Sequence, residues 1–228
     1  IVCKNDYGKD ELRSHNYICH FVVFKSSLLK GMNRFYRLEC EGSQDYDMVL
    51  RLTEKAEKIV HIPKILYYWR VHQGSVSMNL SGKQYAVDAA KYAIADQLKR
   101  SGEAGEVICN LPYETIYKIN YYIKQAPVVS VILGRTEKEQ HIDDYLALFL
   151  SKTTYRPIEI VCEEGDKRVL CRQGVTFSES ATGEYMLFMT EDCLPMSEGW
   201  LEELMMYAQR KDVGGVSPWI LYRNKTTC

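Results

Sequence analysis

The strongest constraint in the chain is a change of pattern after Pro127. Val128–Leu133 is a continuous, largely apolar strand, and Ile158–Glu163 and Tyr185–Met189 read as two more buried strands. Between the first two lies 138–151, which places Ile142, Tyr145, Leu146 and Phe149 on one helical face. Strands that are apolar throughout have no wet face, so they belong in a parallel sheet covered on both sides. Strand, helix, strand is the unit that builds such a sheet. A further helix over Trp200–Gln209 turns Trp200, Leu201, Leu204 and Ala208 inward, and Val213–Tyr222 reads as a last strand. In sheets of this kind ligands sit beyond the carboxyl ends of the strands, so chemistry is to be sought there.

The first 126 residues are less regular. Residues 17–25, YICHFVVFK, read as a buried strand, and Ser26-Ser27 open a short helical turn through Leu29. Ser43 is a suitable N-cap for a helix to about Ala56, with Asp45 and Asp47 where the positive helix end favours carboxylates. Ile59–Ile62 and Ile65–Val71 read as two strands around Pro63-Lys64. Ser81 and Gln84 form a capping box before the clearest helix, whose face carries Val87, Ala90, Ile94 and Leu98 and whose stop is Lys99, Arg100 and Gly102. From Tyr113 to Ile123 the period falls to two, the signature of a half-buried strand.

Composition narrows the class. At 228 residues and 46% hydrophobic the chain is globular, and a net charge of -1 argues against a protein that lives on nucleic acid. Its longest clean apolar runs are about six residues, too short to span a bilayer. None of the eight cysteines forms a C-x-x-C pair, no spacing fits a structural zinc site, and several sit inside apolar runs. A reducing, cytoplasmic compartment follows as the expectation, with the inner face of the membrane included. Two N-x-S/T sequons, at Asn79 and Asn224, read as chance matches. The chain starts at Ile1 rather than Met, which suggests an internal slice of something longer.

Three constellations could carry chemistry. Tyr185–Met189 runs into Thr190-Glu191-Asp192, and Ile158–Val161 runs into Cys162, Glu163 and Glu164. Carboxylates leaving buried strands are placed to hold Mg²⁺ or Mn²⁺, and such an ion can neutralise a diphosphate; a solvated acidic turn is the plain alternative. Gln44-Asp45-Tyr46-Asp47 opens a helix, where carboxylates are also explained by the dipole alone. Tyr67-Tyr68-Trp69-Arg70-Val71-His72 combines rings that could stack on a sugar with an arginine and a histidine that could meet phosphate or metal; core aromatics with an exposed arginine are the alternative.

Together these residues resemble a known family. GSQDYDMVLRLTEKAEKIVHIPKILYYWRVHQGSVS looks like the carboxyl-terminal half of a family-2, GT-A-fold glycosyltransferase of the kind that builds capsule, O-antigen or rhamnose-rich polysaccharides. The stretch from Ala126 through SATGEYMLFMTEDCLP to Tyr222 looks like the amino-terminal half of the same fold, with the A-x-G-E-Y pattern at Ala181, Gly183, Glu184 and Tyr185. The resemblance implies an α/β, Rossmann-like mixed sheet with helices on both faces, present as two half-domains in permuted order. Residues 1–80 would be the acceptor and base side, 81–126 a linker helix and strand, and 127–228 the nucleotide-sugar side. A tandem enzyme explains the order, and docking of the two halves on each other is the second account.

Roles follow from the resemblance residue by residue. Asp45 would be the catalytic base, and Asp192 the metal-binding acid, with Glu191 beside it. Thr190 stands where the family has an acid, which weakens metal binding. Glu163 and Glu164 would contact the nucleotide. His72 would be a late ligand of the metal or diphosphate, with Arg70 nearby; Trp69 would stack on the acceptor, and Asp47 would lie on the acceptor or diphosphate side. The implied reaction is an inverting transfer from a nucleotide sugar to a saccharide or lipid-linked saccharide, assisted by Mn²⁺ or Mg²⁺. Two departures fall on the donor pocket: Gly134-Arg135-Thr136 replaces the family's Pro-Thr exit, and EEGDKRVLCRQGVT compresses a longer stretch. They leave open a degenerate module that binds or scaffolds without catalysis.

Overall fold

The structure, a computed structural model, describes residues 4–19, 21–68, 84–109, 115–134, 142–163 and 181–222. The chain divides into two compact units, Ile1–Tyr122 and Ile123–Cys228.

The first unit is built on helices α1 (Lys9–Ser14), α2 (Gln44–Thr53) and α3 (Gln84–Arg100), followed by a hairpin of β1 (Gly105–Cys109) and β2 (Tyr117–Tyr121). Helices α2 and α3 pack together, α3 lies against β1, and α1 against β2. The amphipathic spacing in α3 buries Val87, Ala90, Ala93, Ile94 and Leu98, and α2 buries Tyr46, Met48, Val49, Leu50 and Leu52. The small residues of α3 permit close helix contact, and the Tyr46 ring lies 6.3 Å from that of Tyr117 on β2. Helix α3 ends as expected: Gly102 takes a positive φ of 69°, and the Glu103 and Gly102 amides donate to the Leu98 and Lys99 carbonyls at 2.9 and 3.2 Å. In β2 the period of two is plain, with Tyr117, Ile119 and Tyr121 buried. A buried Arg13 ties α1 to the rest, donating to Gln97 Oε1 at 2.9 Å and to the Tyr121 hydroxyl at 2.7 Å and pairing with Glu103. The segment read as a linker thus supplies α3 and the hairpin of this unit.

The second unit holds a parallel sheet in the order β4-β3-β5, made of β3 (Val129–Gly134), β4 (Ile158–Glu163) and β5 (Tyr185–Thr190). Helix α4 (Ile142–Ser151) connects β3 to β4, and α5 (Trp200–Ala208) follows β5. Central β3 is buried along its whole length, Ser130 included, as its largely apolar sequence leads one to expect. Val129, Val131 and Leu133 face the core; Leu201 and Met205 of α5 pack on Val129, and Tyr145 and Phe149 of α4 pack on Val131 and Leu133. Both helices therefore meet the same face of the sheet. The mixed α/β architecture is as expected, whereas the helices expected on both faces of the sheet lie on one face among the described residues.

Several expected strands do not form among the described residues. Residues 17–19 and 21–25, 59–62 and 65–68 join no ladder there, and Val23 and Tyr68 are 88% and 95% exposed. Val213–Tyr222 is likewise without a ladder apart from an isolated bridge at Leu221, and Trp219 is 89% exposed. β-Branched and aromatic residues favour a strand, but a strand exists only where a neighbour accepts its backbone hydrogen bonds. Strand β1 is the converse case, absent from the sequence reading because Gly105-Glu106 gives no clear alternation. Ser43 is at the N-cap position of α2, yet its hydroxyl donates to the Ala86 carbonyl at 2.8 Å instead of capping. The Ser81 capping box lies outside the described residues.

Candidate active site

The carboxyl edge of the parallel sheet gathers the first group of candidates. Register places Glu163 and Thr190 on either side of Gly134, so the two acidic strand ends leave the same edge of the sheet with β3 between them. Beyond β5 the chain turns at once: the Glu191 amide donates to the Gly134 carbonyl at 3.4 Å, and the Cys193 amide to the Thr190 carbonyl at 2.9 Å. Tyr145 on α4 pins this turn by donating its hydroxyl to the Cys193 carbonyl at 2.8 Å. Within it, Glu191 is buried and Asp192 exposed, so Asp192 presents its carboxylate to solvent at the strand end.

The entry to β5 explains the A-x-G-E-Y pattern. A Cβ on Gly183 would come within 2.7 Å of the Ser130 amide nitrogen and 2.8 Å of the Val128 carbonyl oxygen, so only glycine fits against β3 there. Glu159 on β4 accepts hydrogen bonds from Ser130 Oγ, from the Thr182 amide and hydroxyl at 2.6 and 2.8 Å, and from the Gly183 amide at 2.9 Å. Those donors, Ser130 foremost and Thr182 next, hold the Glu159 carboxyl down at about 2. Glu159 is a residue the sequence reading missed. It lies in an apolar strand as an isolated acid, and only the fold shows which donors it meets.

The second group is at the start of α2, where the two aspartates have opposite surroundings. Asp47 is 0% exposed, and both its oxygens are taken: Arg37 Nε and Arg51 Nε donate to Oδ2 at 3.1 and 2.9 Å, and Arg37 Nη2 to Oδ1. Burial would push the Asp47 carboxyl up, but hydrogen bonds and charge from Arg37 and Arg51 outweigh it and hold the carboxyl below the ordinary carboxylate range. Arg37 also pairs with Asp96 on α3 at 2.7 Å, and Arg51 donates to the Arg34 and Phe35 carbonyls at 3.0 and 2.7 Å. Asp47 is thus the hub that fastens 32–37 to α2 and α3. Arg51 is its i+4 partner on the same helix, whereas Arg37 comes from another segment. Nearby Cys40 is buried, and burial followed by the Asp47 charge pushes its thiol up to about 11.

Asp45, two residues earlier, is only half-buried. Its Oδ2 accepts from Asn16 Nδ2 at 3.1 Å. The neighbouring Cys19 thiol is raised by burial first and by the Asp45 charge next. Asp45 is therefore a half-buried carboxylate at a helix start, contacted by one amide from another segment.

Trp69, Arg70, His72 and Glu164 lie outside the described residues, and Glu163 is described only as a strand position. Among the described residues, no group of three His, Cys, Asp or Glu side chains converges as a metal site. Asp192 is one exposed acid, and a single carboxylate is short of a donor set for Mn²⁺ or Mg²⁺. No helix among the described residues is long and apolar enough to cross a membrane.

No family model matches the chain, and no solved structure matches it. Two curated proteins are similar over almost its whole length. One is the uncharacterized protein y4gI of Sinorhizobium fredii, 29% identical over 249 residues, which cover 96% of this chain and 27% of that protein. The other is the O-antigen biosynthesis protein RfbC of Myxococcus xanthus, 27% identical over 248 residues, covering 98% of this chain and 19% of that protein. The chain therefore spans about a quarter and a fifth of these relatives' lengths.

Proposed function

We propose that this chain is part of a glycosyltransferase of cell-surface polysaccharide synthesis that uses a nucleotide sugar, with Asp45 as its catalytic base. The observation that carries the reading is the contrast within one helical turn. Asp47 is locked between two guanidinium groups, while Asp45 is half-buried and held through one oxygen. Similarity to a protein named for O-antigen biosynthesis supports the pathway class. The resemblance to family-2 transferases supports the reaction.

In that reaction the acceptor hydroxyl oxygen attacks the anomeric carbon of the donor sugar. The bond from that carbon to the diphosphate oxygen breaks, and its electron pair leaves with the nucleoside diphosphate. The hydroxyl proton passes to Asp45, and the anomeric configuration inverts. In the second unit, taken by itself, Asp192 beyond the carboxyl end of β5 is the proposed acid that a Mn²⁺ or Mg²⁺ on a nucleotide diphosphate would meet, and there such an ion would supply charge stabilisation. Glu163 and Glu164 are the proposed nucleotide contacts, and Trp69, Arg70 and His72 the proposed contacts to acceptor and diphosphate.

General-base assistance contributes about 10²–10⁴-fold. Asp45→Asn in the full-length protein should therefore lower turnover of its nucleotide sugar at least about 100-fold, read as nucleoside diphosphate release. A wild-type protein that releases none from any UDP-, GDP- or dTDP-sugar, with a saccharide acceptor present, favours a binding or scaffolding module instead.

A further inference from the structure

Asp45 is oriented from 29 positions upstream. Asn16 Nδ2 donates to Asp45 Oδ2 at 3.1 Å. The charge of the carboxylate fixes the amide's orientation: turned over, it would set Asn16 Oδ1 against Asp45 Oδ2, acceptor against acceptor. The arrangement has a cost at the other atom. Asn16 Oδ1 is buried and accepts no hydrogen bond among the described residues. A buried amide oxygen left unpaired destabilises a fold. An amide that costs stability at one end and steers a half-buried carboxylate at the other is poorly explained by packing.

The backbone around Asn16 is held in place. Lys4 Nζ donates to the Ile18 and Cys19 carbonyls at 3.3 and 2.6 Å, and the Gly8 amide donates to the Tyr17 hydroxyl at 3.0 Å. On the other side, Tyr46 donates its hydroxyl to the Leu12 carbonyl, fixing α2 to the end of α1. Both partners of the Asn16–Asp45 contact thus sit on anchored segments, which makes the contact a reproducible geometry.

We infer that Asn16 is a positioning residue for Asp45: it occupies Oδ2 and leaves Oδ1 as the oxygen turned toward the acceptor hydroxyl. This rests on the reading of Asp45 as the base. A carboxylate free to rotate would spend part of its time misdirected, and misplacement at a reacting centre is felt in the chemical step rather than in donor binding.

The test uses the full-length protein with Asn16→Ala, Asn16→Asp and Asp45→Asn, assayed by nucleoside diphosphate release from the nucleotide sugar that the wild type turns over. Asn16→Asp keeps the shape of the side chain and removes the donor. Both Asn16 variants should lower kcat roughly tenfold with the donor KM within about twofold of wild type. Asn16→Ala should melt no lower than wild type, because the unpaired oxygen goes with the side chain. An Asp45→Asn protein without turnover beside an Asn16→Ala protein with wild-type kcat would overturn this inference and leave the base intact. Full activity in Asp45→Asn, or none in wild type, would overturn the reading of the base and this inference together. A fall in melting temperature that parallels the fall in kcat in both Asn16 variants would assign Asn16 to the fold and likewise overturn the inference.

Discussion

Asp47 and Asp45 differ by two positions and by everything that decides what a carboxylate does. Asp47 has no contact with water and two arginines on it, so its charge is structural. Removing one partner of a buried ion pair leaves an uncompensated charge, and Asp47→Asn should cost about 3 kcal/mol of stability, measured by denaturant unfolding. Glu159 makes a pH-dependent contribution with a definite sign. Its carboxyl is held at about 2 in the folded chain and returns to ~4.3 when unfolded. The contribution is complete above the unfolded value and is lost as pH falls from there toward the folded one. The stability gap between wild type and Glu159→Gln should be constant above about pH 5 and close toward pH 2. A gap that stays constant to pH 2 would show that the hydrogen bonds to the carboxylate contribute nothing. Sequence made Asp45 and Asp47 visible as a pair through helix position. It could not tell which of them was buried, because that depends on Arg37 and Asn16, which come from other segments.

At the scale of elements, the legible parts were those whose signal is local. Helix α3, with its apolar face at 3.6 spacing and its glycine stop, formed as read, and so did α4, β3 and α5. The illegible parts were those needing a partner. Segment 59–68 carries β-branched and aromatic residues at strand density and yet has no ladder among the described residues. Its amides should exchange with solvent deuterium far faster than those of β3, which is paired on both sides, in a hydrogen-exchange experiment on this chain. Protection of 59–68 equal to that of β3 would mean that these residues do find a partner strand. The Gly183 motif is a third case. The pattern was visible in sequence, but its physical reason was not: the backbone of β5's entry lies against that of β3. Gly183→Ala should cost roughly 1–3 kcal/mol through overpacking, read as a drop in melting temperature.

For the whole molecule, the α/β class follows from the apolar strands, and the parallel order β4-β3-β5 puts two acidic strand ends at the same edge of the sheet, on either side of β3. The first unit buries its own core and presents Asp45 at the start of α2. The proposal of glycosyl transfer stands on that one carboxylate more than on any other group. The measurement that tests it most directly is nucleoside diphosphate release by wild type, Asp45→Asn and Asp47→Asn, with melting temperatures taken alongside. The expected result is a loss of at least about 100-fold in Asp45→Asn at an unchanged melting temperature, against a lowered melting temperature in Asp47→Asn. Turnover that survives in a folded Asp45→Asn protein would contradict the assignment of Asp45 as the base.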